Sequence, residues 1–418
     1  MSITEVVTGE GLTAVTESMP GCRSVTLGFW VGTGSADEDG PLWGASHFLE
    51  HLLFKGTQRR SAREISEAVD AVGGDINAFT TKEYTSFYVR LLAEQLELGL
   101  DILSDILWSP AFRPDEVESE RQVILEEILM HNDEPSDLVH EVLAGAMWPG
   151  QGLGREVLGE EATIVAMTRE EIAGFHAEHY RPANVVFAGA GALDHDRVVE
   201  GLVRRLEGRS GGAAPLRAPP ATPEPAPPNQ TVLVRRDTEQ AHIAVGVPGL
   251  AREDDRRYTL SVLDHVLGGG MSSRLFQTVR EERGLAYSVY SYRQAFEHAG
   301  VLAVYAGTSP DKAPEVLDLV HAELDRIAED GITAGELDLA RGHLRGSLVL
   351  GLEDSASRMS RIGHARLTHR RVPSVEELEE RFAAVTLAGV ADLAAELLTG
   401  PRVVAVVGPF DDPKVAER

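Results

Sequence analysis

The stretch from Gly208 to Gln230 constrains this chain most. It reads GRSGGAAPLRAPPATPEPAPPNQ, with seven prolines and almost no large apolar side chain. Proline lacks the donor that helices and ladders need, so the stretch predicts an extended, semi-rigid linker over 208–230. It divides the 418 residues into 1–207 and 231–418, each the size of a domain. A chain of this length does not build one core.

The two parts share a rhythm. Ser24–Val31 reads as a strand, followed by a helix over about 44–54. Ala241–Val247 reads as a strand, followed by a helix over about 256–267. Long amphipathic helical stretches come next: 90–108 and 114–132 in the first part, 313–329 and 334–352 in the second. Each part closes on a helix and a strand, 169–179 with 184–189 and 387–398 with 402–407. The same order twice predicts an internal duplication of one α+β unit.

Charge narrows the function. The chain has 39 basic and 66 acidic residues, a net charge of −27. That argues against nucleic acid or anionic lipid as partner. The single cysteine, Cys22, excludes an internal disulfide and a cysteine-rich metal knuckle, and reads as a small buried hydrophobe. The N-terminus has no basic start or apolar core, and no run of about 18 apolar residues follows. The expectation is a cytoplasmic protein with no membrane partner.

One helical segment carries chemistry. Within 44–54 stands His47-Phe48-Leu49-Glu50-His51. At about 100° per residue the two histidines lie about 40° apart, and Glu50 falls about 60° to the other side of His47. Two imidazoles one turn apart can bind one zinc, with the carboxylate beside them to act on a bound water. His-x-x-Glu-His is the order of the inverzincins. The flanks Phe48, Leu49, Leu52, Leu53 and Phe54 are apolar, and unpartnered charge in such a helix is costly. Zinc needs a third protein ligand. The helix around 116–129 offers Glu116, Glu118, Glu120, Glu126 and Glu127. Glu120 and Glu127 are about 20° from alignment and share a face, so spacing leaves both open.

These motifs resemble a family. The run Trp30-Val31-Gly32-Thr33-Gly34-Ser35, then Gly44 to His51 with Phe54-Lys55-Gly56-Thr57, then Glu120 to Glu127, is similar to the pitrilysin and mitochondrial processing peptidase family, in its short two-domain bacterial type. The resemblance runs to Val406-Val407-Gly408-Pro409. It implies two homologous α+β domains, each a mainly antiparallel sheet with helices on one face. The first would bind one Zn²⁺ and the second none. It assigns Glu127 as third zinc ligand, Glu120 as the assisting carboxylate and Glu50 as the group acting on water.

The resemblance also implies substrate residues. Asn77, Ala78 and Phe79, with Thr80, match an edge strand onto which a peptide adds. The residues alone read there as an ordinary hairpin. Arg280 and Tyr287 match a pair that reaches the substrate beside the scissile bond; alone they read as a surface charge and a strand core residue. The implied protein is a zinc endopeptidase for peptides or unfolded segments, enclosed by a homodimer, with a heterodimer of related chains also open. The alternative is a non-catalytic, substrate-presenting subunit. His265 stands alone in the second part and reads as a structural histidine.

Overall fold

The computed structural model describes residues 3–209, 211–215 and 230–412. Most of the linker expected over 208–230 lies outside the described residues. Contacts divide the chain into two units. The first comprises Met1–Leu129, Glu156–Pro219 and Leu350–Val372, and the second Met130–Arg155, Pro220–Val349 and Pro373–Arg418.

The first unit holds a six-stranded sheet of β1 (Ile3–Val7), β2 (Thr13–Ser18), β3 (Ser24–Val31), β4 (Asp75–Thr80), β5 (Thr85–Leu92) and β6 (Val185–Gly191), in the order β1-β2-β6-β3-β5-β4. Every neighbouring pair is antiparallel except β2 with β6. Strand β3 is apolar along its length because both of its faces are covered. Val25, Leu27, Phe29 and Val31 point into a core with Phe48, Leu49, Leu100, Leu103 and Ile172. Thr26, Gly28 and Trp30 alternate to the other face.

That second face carries one helix, Ser355–Thr368, from late in the chain. Ser355 Oγ lies 2.8 Å from Thr26 Oγ1, and Trp30 Nε1 donates to Met359 Sδ at 3.4 Å. Half-buried Arg358 pairs with buried Glu17 at 2.5 Å. Close approach depends on missing side chains: a Cβ on Gly363 would sit 2.2 Å from Trp30 Nε1, and one on Gly28 2.8 Å from Met359 Sδ.

The second unit repeats the plan. Strands β7 (Gln230–Arg235), β8 (Ala241–Pro248), β9 (Ala286–Ala295), β10 (Gly300–Thr308) and β11 (Val403–Gly408) lie in the order β7-β11-β8-β10-β9, with only β7 and β11 parallel. Apart from β1, this is the first sheet's order. Ile243, Val245, Val404 and Val406 face a core with the helices Arg257–Leu267, Ala313–Asp330 and Leu387–Leu398. Val403, Ala405 and Val407 face the helix Pro135–Met147 through Val139, Leu143 and Met147.

The α+β class with two mainly antiparallel sheets stands as expected, and among the described residues each sheet has in addition a single helix on its other face. One element differs. Residues 90–92 extend β5 rather than opening a helix, which begins at Leu96. They pair with Ser24–Thr26, and buried Leu91 beside exposed Leu92 is strand alternation. Among the described residues no helix is long and apolar enough to cross a membrane.

Candidate metal centre

The metal helix is short, Ala45–Leu53. Nine residues hold a helix poorly in isolation, so its ends are held from outside. Buried Glu38 accepts the Gly44 N–H and the Ser46 N–H, each at 2.7 Å. These are donors that the first turn leaves without helical partners, and a carboxylate suits the positive end of the dipole. Gly44 adopts φ +93°, where a Cβ would meet Ile164 and the Leu158 carbonyl. Gly56, past the other end, adopts φ +119°. There Thr57 Oγ1 donates to buried Asp105 at 2.8 Å.

The helix Pro114–Asn132 brings the carboxylates. Glu127 Oε2 lies 3.7 Å from His47 Nε2 and 3.4 Å from His51 Nε2. One donor atom from each of His47, His51 and Glu127 falls within 4.8 Å of the others, the single such group among the described residues. Glu120, 2% exposed, turns to the far side of His51: its Oε1 lies 2.8 Å from His51 Nδ1, and its Oε2 lies 2.6 Å from Lys55 Nζ.

This donor set fits zinc. Ligand bonds of about 2.0–2.1 Å in a tetrahedron place donor atoms about 3.3 Å apart, near the two separations from Glu127 Oε2. Nδ1 of His51 faces a carboxylate, which fixes the tautomer and leaves Nε2 toward Glu127. His47 Nδ1 is buried with no hydrogen-bond partner among the described residues, so of the two histidines His51 alone has such support there.

Electrostatics separates the two rings. Burial, then the nearby His51, pulls His47 down to about 4. Burial also disfavours charge on His51, but its hydrogen bonds to Glu120 and Glu127 outweigh it and push His51 up to about 9. Burial raises Glu50 above the ordinary carboxylate value, opposed by the hydrogen bond that Thr80 Oγ1 donates at 2.6 Å. Burial acts the same way on Glu120, where His51 and Lys55 win and hold it low.

The other expected residues fall into two places. Asn77, Ala78 and Phe79 lie on β4, the edge strand of the first sheet. Asn77 Oδ1 accepts the Ala78 N–H at 2.8 Å, and Phe79 packs edge-on against Trp30, their ring centroids 5.7 Å apart. Arg280 and Tyr287 meet in the second unit, the guanidinium carbon 4.7 Å from the Tyr287 ring centroid. Arg280 belongs to a π-helical turn, Phe276–Glu282. Tyr287 is 80% exposed, so the core position read from the residues alone does not hold. His265 stacks on His343 at 4.2 Å. Glu116 and Glu126 take no part in the cluster.

Three contributors escaped the sequence reading. Lys55 follows His51 by one helical turn, but a lysine at that spacing carries no metal signal of its own. Thr80 stands in the edge-strand motif, and nothing in its spacing links it to Glu50. Glu38 carries no local signal, because the helix it caps starts several residues later.

Comparison with known proteins places the chain in a family. The insulinase model of peptidase family M16 matches residues 13–161, and the peptidase M16 inactive-domain model matches residues 166–344. The chain belongs to peptidase family M16. An uncharacterized zinc protease of Streptomyces coelicolor is 46% identical over 96% of this M16 chain and 88% of its own length. Another, of Bacillus subtilis, is 38% identical over 96% of each chain. Among solved structures, a peptidase M16 inactive domain from Pseudomonas fluorescens superposes with a TM-score of 0.91 at 21% identity, covering 100% of this chain and 99% of that one. A protease from Helicobacter pylori gives 0.91 at 22%, covering 98% and 99%. At such identities these two establish the M16 two-domain fold.

Proposed function

We propose that the chain is a zinc endopeptidase that hydrolyses peptides or unfolded segments. The observation that carries this reading is the convergence within 4.8 Å of donor atoms from His47, His51 and Glu127, with Glu50 on the same helix as the two histidines. Relatives named as zinc proteases support it. One zinc per chain would be held by His47, His51 and Glu127, and when bound it supplies a Lewis acid and makes water a better nucleophile. Glu50 takes a proton from water and returns one to the leaving amine. Glu120 holds His51 in its ligating tautomer. A peptide main chain pairs along the edge of β4 at Asn77, Ala78 and Phe79. Arg280 binds a substrate carbonyl, and Tyr287 donates to the developing oxyanion.

The deciding test is Glu50→Gln in the purified full chain. Zinc content stays at the wild-type level and hydrolysis of an unstructured peptide is lost. Normal turnover with metal confirmed overturns the role of Glu50. A wild-type chain that takes up no zinc supports the substrate-presenting subunit instead.

The working form in this proposal is a homodimer with two symmetric sites, in which Arg280 and Tyr287 of one chain serve the partner's centre. What supports it is that one chain carries both the metal cluster and the Arg280–Tyr287 pair.

A further inference from the structure

We propose that Thr80 is a positioning residue for Glu50, so that the sheet's edge strand sets the orientation of the base. This deepens the peptidase reading and rests on it.

The geometry is local and tightly held. Thr80 Oγ1 donates to Glu50 Oε2 at 2.6 Å. A short bond from a hydroxyl to a carboxylate is among the stronger kinds. Alternation along β4 explains why this residue can reach. Ile76 and Ala78 pack on the core that includes Phe48 and Leu49 of the metal helix, whereas Phe79 turns to Trp30 on the other face. Thr80 shares the first parity and so faces the helix.

Thr80 itself has little freedom. It pairs with Thr85, which is fully buried and donates to the Thr33 carbonyl at 3.0 Å. The turn beyond is closed by Thr81 Oγ1 donating to the Tyr84 carbonyl at 2.9 Å. A β-branched side chain on such a backbone is stiff at χ1. The terminal torsion of a glutamate is by contrast broad. The Thr80 hydroxyl therefore supplies the restraint that the Glu50 carboxylate lacks, binding one oxygen and orienting the other. A general base works only within hydrogen-bond reach of its proton and correctly turned.

The inference separates Thr80 from the metal. Thr80 bonds to none of His47, His51 or Glu127 in the described contacts. Removing its hydroxyl leaves the zinc donors in place and loosens only the base. An interaction of this kind lowers kcat and leaves KM alone.

The experiment compares Thr80→Val, which keeps the branched shape, with Thr80→Ser, which keeps the hydroxyl, in zinc-loaded full-length protein. An unstructured fluorogenic peptide gives kcat and KM, chelator competition gives zinc affinity, and thermal melting reports folding. Wild type and Glu50→Gln are run beside them. We expect kcat of Thr80→Val to fall about tenfold or more, with KM, zinc affinity and melting unchanged, and Thr80→Ser to recover most of the rate. If Thr80→Val does not fold, Thr80→Ala carries the same expectation. Wild-type kcat in the variant lacking the hydroxyl, or a loss seen only in KM or zinc affinity, overturns the role of Thr80. No hydrolysis by the zinc-loaded wild type overturns the peptidase reading, and this role with it.

Discussion

Glu120 gives the sharpest quantitative test of the centre. Its carboxylate is almost fully buried, with one oxygen 2.8 Å from His51 Nδ1 and the other 2.6 Å from Lys55. Replacing it removes two effects that can be told apart. Glu120→Gln keeps an acceptor for the His51 N–H and loses the charge; Glu120→Ala loses both and leaves a gap. Partners that orient a ligating histidine are worth about 10–100-fold in metal affinity, or roughly 1.4–2.8 kcal/mol. The alanine variant belongs at the upper end, about a hundredfold weaker for zinc, because Nδ1 then has no acceptor to fix the tautomer. The glutamine variant belongs near tenfold. The Lys55 side chain is 35% exposed and its pairing is partly screened, so Lys55→Met should weaken zinc by less than Glu120→Gln does. The assay is competition with a chromogenic chelator on metal-free protein at one pH, with urea unfolding of the same samples as a check on folding. Zinc affinity of Glu120→Ala indistinguishable from wild type would refute the reasoning. Equal losses in Gln and Ala would show that charge, not the acceptor, does the work.

Two further outcomes follow from other parts of the molecule. His176 Nε2 donates to the Leu107 carbonyl at 2.9 Å, and burial pulls the ring from 6.5 to about 4. Its folded value lies below its unfolded value, so its contribution is present above pH 6.5 and is lost as pH falls toward 4, by about 3 kcal/mol. Urea midpoints between pH 7 and 4 should therefore fall less in His176→Gln than in wild type, and parallel falls would remove His176 from the account. If the chain works as the proposed dimer, Glu50→Gln and Tyr287→Phe, each nearly inactive, should on mixing recover about a quarter of wild-type activity, since about half the dimers are then mixed with one restored site each. Exchange without recovery would place the pair's action within its own chain or on a different partner.

Local patterns carried much of this protein. Period-2 and period-3.6 signals located β3 at Ser24–Val31 and the helices Pro114–Asn132, Arg169–His179 and Leu387–Leu398 at their observed bounds. The His-x-x-Glu-His spacing put three functional groups on one helical face, because side chains one turn apart are neighbours in any helix. The repeated order of elements predicts one α+β unit built twice, and the two sheets share a strand order apart from β1.

What the pattern could not decide is what each face meets. Glu120 and Glu127 are equivalent by spacing, and the position of their helix against Ala45–Leu53 separates them: Glu127 reaches both Nε2 atoms, and Glu120 reaches His51 Nδ1. The same holds for Glu38 on the helix N-terminus, Thr80 on Glu50, and Tyr287, whose strand pattern suggested burial and which is exposed. It holds most clearly for Ser355–Thr368, which covers the sheet of the first unit and bonds to Thr26 of β3 from more than three hundred residues away in sequence. Periodicity is a property of neighbours along the chain and fixes which side of an element is apolar. The partner for that side is chosen by packing between distant segments, which leaves no mark at local spacing.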